Sequence, residues 1–158
     1  MLEETDMVSA GLLITDGEKF LVELPLHQTP GEHHFDLPKG HVEDFDSDFM
    51  GTAFREAKEE TGYDFDSYKD RAIALCDSPV SYIKGKQIVL YRLDLKKDEM
   101  PDIGEYKCQS FFPDKRTGKT VPEVIAYEYK PLSEIRKWLF KGYSRTFDRL
   151  GLFQDSKC

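Results

Sequence analysis

Apolar residues recur along this chain with two different periods, and the switch between them divides it into strands and helices. Residues 7–15, MVSAGLLIT, form a strand-like run rich in apolar side chains. Asp16-Gly17 is a strong hairpin signal, and residues 19–23 return as the partner strand. Residues 24–34 carry Pro25, Pro30 and Gly31 and read as a loop that delivers Phe35-Asp36-Leu37 to the next segment. From Phe49 the period lengthens: Phe49, Met50, Ala53, Phe54 and Ala57 share one helical face, with Asp46, Ser47 and Asp48 as N-cap candidates and Gly62 suited to the left-handed stop. Residues 71–77 and 87–95 read as strands; Leu93 and Leu95 alternate with Arg92 and Asp94, the mark of a half-buried edge or face. Residues 96–121 are polar, with Pro101, Gly104, Pro113 and Gly118, and predict a long functional or mobile loop. Residues 122–129 then predict a strand with Ile125, Tyr127 and Tyr129 on one side. Ser133 is a candidate cap for a helix bearing Ile135, Trp138 and Leu139, and a last helix carries Tyr143, Phe147 and Leu150 up to Gly151.

This pattern runs through 158 residues without linker or repeat, so one domain over residues 1–158 is expected. Neither a basic leader nor an apolar run near eighteen residues occurs, which predicts neither a signal peptide nor a membrane span. Cys76, Cys108 and Cys158 lack metal or redox spacing and read as free thiols of a cytoplasmic protein. A formal charge of −8 argues against a general nucleic-acid binder, though a capped RNA end stays open. If the substrate is a polyphosphate, metal ions and a few local lysines must supply the positive field.

Candidate chemistry concentrates in residues 37–63, LPKGHVEDFDSDFMGTAFREAKEETGY. In a helix, Glu56, Glu59 and Glu60 fall on one face, away from the apolar stripe. Like charges so spaced destabilise a bare helix by a few tenths of a kcal/mol per pair, so a cation among them is expected. All donors are hard oxygens, which favours Mg²⁺ or Mn²⁺ over Zn²⁺. In isolation the same pattern also fits a solvated face with Arg55 and Lys58 as local partners. Pro38 and Gly40 predict a rigid loop approaching a ligand or metal closely, with Lys39 placed to contact phosphate. Further on, Tyr82 is a candidate for stacking on a base, Lys84 and Lys86 for meeting phosphates. Lys115, Arg116 and Lys119 are either a phosphate-closing group or a solvated loop tip.

Gly40 followed by Arg55-Glu56-Ala57-Lys58-Glu59-Glu60-Thr61-Gly62-Tyr63 resembles the Nudix box, G-x5-E-x7-R-E-U-x-E-E-x-G-U. The second half matches, with Tyr63 as the final bulky residue. The first half carries one extra residue: the pattern expects glycine at 41 and glutamate at 47, where the chain has His41 and Ser47. Asp46 or Asp48 then stands in for the first glutamate, and Gly51 adds about 1 kcal/mol of helix cost near the distortion. The resemblance implies an α/β fold, a Nudix-like α/β/α sandwich with a mixed sheet flanked by helices. It implies a hydrolase of phosphoanhydride bonds in a nucleoside diphosphate linked to another moiety. Glu56, Glu59, Glu60 and the Gly40 carbonyl would hold Mg²⁺ or Mn²⁺, and Arg55 would orient a carboxylate. Glu123, in a P-E-x-x-x-aromatic segment, would join as ligand or general base, the base being Glu56 or Glu123. The segment from Tyr82 to Lys86 and the strand after it are similar to enzymes cleaving dinucleoside polyphosphates, whereas Pro79 has the spacing associated with ADP-ribose pyrophosphatases. A small nucleotide or polyphosphate substrate is therefore expected, with dinucleoside polyphosphates first and ADP-ribose or capped RNA as alternatives. A rival of another class is a nucleotide-sensing module that keeps the fold without catalysis.

Overall fold

The computed structural model describes residues 7–26 and 34–153. Pro30, Gly31 and Cys158 lie outside the described residues. Strand β1 (Met7–Thr15) turns at Asp16 and Gly17 into β2 (Lys19–Pro25), as the apolar pattern requires. The two strands pair only at their closed end, Thr15 opposite Phe20, and then separate. Beyond the turn β1 pairs with the short β3 (Lys39–His41), Ala10 opposite Gly40, while β2 pairs with β9 (Val124–Pro131). The chain from 36 to 41 bridges the split: the Glu23 and Asp36 backbones exchange hydrogen bonds, and Leu12 N–H donates to the Pro38 carbonyl. This wedge between the halves of the sheet is where the polar site forms.

Helix α1 (Phe49–Thr61) begins at Asp48, whose side chain accepts from Gly51 N–H at 2.6 Å, a cap worth about 1 kcal/mol. It ends at Gly62, in the left-handed region at φ 70°. A side chain there would also overlap the Lys107 carbonyl, so the position requires glycine twice over. After a short β4 (Ala72–Ala74), β5 (Val80–Ile83) and β6 (Lys86–Asp94) form a hairpin around Gly85, and β6 runs parallel to β1 along its length. The described sheet is seven-stranded and mixed, ordered β4-β6-β1-β2-β9, with β3 and β5 paired to β1 and β6. Strand β6 is interior, flanked by β1 and β4, and its end carries the half-buried face that the alternation predicts: Leu93 and Leu95 are buried, Arg92 and Asp94 partly exposed.

The two covers divide the core. Ala10, Leu12, Ile14, Val89, Tyr91 and Leu93 point to the α1 side and meet Ala53, Phe54 and Ala57. Leu13, Ile88 and Leu90 point the other way, to α2 (Ile135–Trp138) and α3 (Lys141–Leu150), meeting Ile135, Tyr143 and Phe147. A strand buried on both faces reads as a continuous apolar run, which is the pattern of β1. Ser133 does not cap α2: it lies in the preceding 3₁₀ turn, and Glu134 takes the cap position without a side-chain bond.

The polar stretch 96–121 is not one open loop. It holds 3₁₀ turns at Lys97–Glu99 and Ile103–Glu105 and a hairpin of β7 (Phe111–Pro113) and β8 (Thr120–Pro122). Its middle seals the end of α1: Gln109 N–H donates to the Glu59 carbonyl and Lys107 N–H to the Thr61 carbonyl. Tyr127 of β9 donates its hydroxyl to the Glu60 carbonyl at 2.5 Å. Three of the carbonyls that a helix end leaves unpaired are thus met by residues distant in sequence. Ile125 does not share the inner side with Tyr127 and Tyr129. The register slips between Leu24 and Pro25, leaving Ile125 as the extra residue of a bulge and half exposed.

Candidate functional site

A cavity of about 470 Å³ opens at the wedge, over the polar face of α1. Arg55 organises its outer wall. Its Nε and Nη2 each reach Asp46 at 2.9 Å, Nη2 also donates to the His41 carbonyl, and Nη1 donates to Glu56 at 3.0 Å and Glu59 at 3.2 Å. A guanidinium fork suits this bidentate grip, which clamps the 41–46 loop onto the helix. Asp46 and Asp48 thereby separate: Asp46 meets Arg55, and Asp48 caps the helix. The Asp46 carboxyl is held far below the usual carboxylate range by that hydrogen bond.

Gly40 lies beneath Glu56. A Cβ there would overlap the Glu56 carboxyl, so the absent side chain lets the carboxylate lie directly against the backbone. Burial raises the Glu56 carboxyl to about 8, with Glu60 and Glu59 adding to the effect against Arg55. Glu60 is more deeply buried and accepts from Lys39 N–H at 3.0 Å. Burial raises it to about 7, while Glu23 and Lys39 act in the opposite direction. Glu59 is the most open, with 43% of its side chain exposed.

On the inner side, Glu23 projects from β2 and hydrogen-bonds to Glu60; burial and the Glu60 charge push its carboxyl well above the usual range. The Lys39 ammonium lies 3.1 Å from Asp36 and 5.9 Å from the Tyr82 ring centroid. Burial opposes its charge, but Asp36, Tyr82 and Glu60 more than compensate, and its pKa is raised. Asp36 also accepts from the Tyr143 hydroxyl and from Leu37 N–H.

Lys39, Gly40, Arg55, Glu56, Glu59, Glu60, Tyr82, Lys86 and Glu123, all singled out in the sequence, line this one cavity. Lys84 does not: it sits exposed in the β5–β6 turn. Lys115, Arg116 and Lys119 stand exposed at the tip of the β7–β8 hairpin. The expectation that Tyr82 offers a stacking face needs correction. Tyr82 is 5% exposed and packs against Phe140 and Tyr143, so its ring belongs to the core and its polar end meets Lys39. The exposed ring at the cavity is instead Phe45, 73% exposed and 4.9 Å from the Arg55 guanidinium. Glu23, Asp36 and Phe45 carry no motif. A glutamate inside the apolar run FLVELP was the one signal, because a charge in a buried strand demands a partner.

The donor set fits a hard divalent cation. Glu56, Glu59, Glu60 and Glu123 contribute only oxygens, and Gly40 lines the same cavity without a side chain to obstruct it. Among the described residues no three acidic, His or Cys side chains close around a common point, because Arg55 holds Glu56 and Glu59 and the Lys39 N–H holds Glu60. Holding an ion requires those carboxylates to exchange these bonds for metal ligation.

Residues 5–148 match the family profile of the NUDIX domain. A 17.7 kDa protein from the e-segB intergenic region of Enterobacteria phage T4 is 30% identical over 105 residues, 65% of this chain; the chain spans 64% of that relative's length. The fold is similar to the NUDIX domain of NrtR from Shewanella oneidensis, crystallised with ADP ribose: TM-score 0.63, 14% identity, 93% of this chain and 87% of that one. It is similar also to an Ap4A hydrolase of C. elegans, with TM-score 0.52 and 22% identity over 92% of this chain and 93% of that one. A MutT protein of Methanosarcina mazei gives TM-score 0.56 and 22% identity, covering 96% of each chain.

Proposed function

Because the chain belongs to the Nudix hydrolase family, we propose that residues 1–158 form one cytoplasmic domain that cleaves a phosphoanhydride in a nucleoside diphosphate linked to another moiety. Dinucleoside polyphosphates are the preferred class. The observation that carries this reading is the meeting of Glu56, Glu59 and Glu60 with Glu123, from a segment more than sixty residues away, across a cavity that Lys86 also lines.

Glu56, Glu59, Glu60 and Glu123 with the Gly40 carbonyl would hold Mg²⁺ or Mn²⁺. Such an ion neutralises phosphate oxygens and activates water. The chain's own residues do the rest. Arg55 fixes the 41–46 loop and aims Glu56 and Glu59 into the cavity. Lys86 meets a phosphate. Lys39 contributes through its N–H on Glu60, since its ammonium is engaged with Asp36. Phe45 takes the base-stacking role first expected of Tyr82. The general base is Glu56 or Glu123, the latter with its backbone pinned on both sides by Ser110 and Leu26. A similar fold crystallised with ADP ribose favours that compound as the second reading.

The test is product analysis by mass spectrometry with Mg²⁺ and a panel of diadenosine polyphosphates, ADP-ribose, nucleoside triphosphates and capped RNA, with Glu60→Gln as control. Cleavage of diadenosine polyphosphates by wild type alone is expected. Preferential cleavage of ADP-ribose gives the second reading, and binding without products would make the protein a nucleotide sensor.

A further inference from the structure

A second cavity, of about 330 Å³, lies beyond Glu60; Glu23, Asp36, Lys39, Glu60 and Glu123 line its polar part, and Pro25, Phe112 and Val124 the apolar remainder. Glu23 stands at its wall on β2, where the backbone bridges to Asp36, and the residue is only 2% exposed. One end of its carboxyl engages Glu60, but Oε1 has no hydrogen-bond partner in the described structure. A buried carboxyl oxygen without a partner is costly, and such groups are rare in folded proteins. The nearby cation does not relieve it: the Lys39 ammonium pairs with Asp36, which takes Leu37 N–H and the Tyr143 hydroxyl as well. A cavity of this size, with Glu23, Asp36, Glu60 and Glu123 on its polar side, has room for an ion that keeps part of its water.

We propose that Glu23 and Glu60 together bind a divalent cation in this inner cavity, so that β2 supplies a metal ligand from outside the motif. Glu60 then faces two cation positions, one shared with Glu56 and Glu59 and one with Glu23. Hard carboxylate oxygens suit Mg²⁺ or Mn²⁺ there also. The inference rests on the metal-dependent reading above and extends it by one residue and one site.

The experiment is Mn²⁺ binding to the full chain, followed by the electron paramagnetic resonance of free Mn²⁺, for wild type, Glu23→Gln, Glu23→Asp and Glu59→Gln, with thermal melts to verify folding. Glu23→Gln is expected to lose one class of Mn²⁺ or to bind it at least tenfold more weakly, and Glu23→Asp to recover part of the loss. A Glu23→Gln isotherm that superimposes on wild type, while Glu59→Gln binds weakly, overturns this inference alone. Wild type that binds no Mn²⁺ overturns the metal-dependent reading as well.

Discussion

The two sides of Glu60 differ in how charge is met. On the outer side Glu56 and Glu59 share one guanidinium at 3.0–3.3 Å, and Arg55 also grips Asp46. On the inner side Lys39 and Asp36 satisfy each other, and Glu23 keeps an unpartnered oxygen. The outer charges are neighbours on one helix and its adjoining loop, so local spacing pairs them. Among the inner groups Lys39 and Asp36 are also three residues apart, but Glu23 reaches Glu60 only because the sheet brings β2 to the helix. The outer side thus sets three carboxylates against one guanidinium, whereas on the inner side Lys39 offsets Asp36 and burial pushes the Glu23 carboxyl toward its neutral form. Their shared member, Glu60, is the residue through which a change on one side reaches the other.

Removing that shared member is the sharpest break. Glu60→Gln is expected to lower kcat by about a hundredfold or more with the melting temperature unchanged or raised, because a neutral amide suits burial; activity within a few-fold of wild type would take Glu60 out of the metal site. Glu59→Gln should cost activity too, without stabilising the fold, since Glu59 is largely open.

pH separates the sides next. In the metal-free protein Glu56 and Glu60 hold protons up to about 8 and 7, while in the unfolded chain they ionise at their ordinary, lower values. Between roughly pH 4.5 and 8 the folded state therefore binds more protons, and stability must fall as pH rises, by a few kcal/mol in total. Asp46 contributes with the opposite sign, losing stability as pH falls through its depressed value, in a lower window. Thermal melts from pH 5 to 8 should show the decline. Mg²⁺ at pH 8 should reverse it, and Glu56→Gln should flatten it. A metal-free protein that grows more stable from pH 5 to 8 would contradict the assignment.

Tyr127→Phe deletes the hydroxyl that meets the Glu60 carbonyl, and a loss of about 1 kcal/mol in denaturant melts is expected, with a smaller loss of Mn²⁺ affinity. Phe45→Ala should have the smallest effect. KM for base-containing substrates should rise about threefold to tenfold at constant kcat and unchanged stability, since the ring is already exposed. Equal KM for base-containing and base-free polyphosphates in wild type and variant would remove the stacking role.

Much of this was legible in the residues themselves. The helix from Asp48 to Gly62, its carboxylate face, the opening hairpin and the last helix up to Gly151 each follow from contacts within a few residues, where propensity, capping and period act. The family pattern marked Glu123, although 62 residues separate it from Gly62's neighbour Thr61. Tyr82 was misread because an aromatic beside two lysines looks the same in sequence whether its ring faces solvent or Phe140 and Tyr143. Ile125 went to the wrong side because a bulge depends on the partner strand's register. The polar stretch 96–121 hid its task, since the carbonyls it satisfies belong to α1.

The sequence by itself determined which groups are available: three carboxylates on one helical face, a glycine that admits them, and an arginine within reach. Tertiary structure alone decided which polar group goes unmet, because the split of β1 from β2 buries Glu23 against Glu60 and leaves its Oε1 without a hydrogen-bond partner. Desolvation and partner choice depend on what the fold packs around a group, and a strand carries no record of that in its own period.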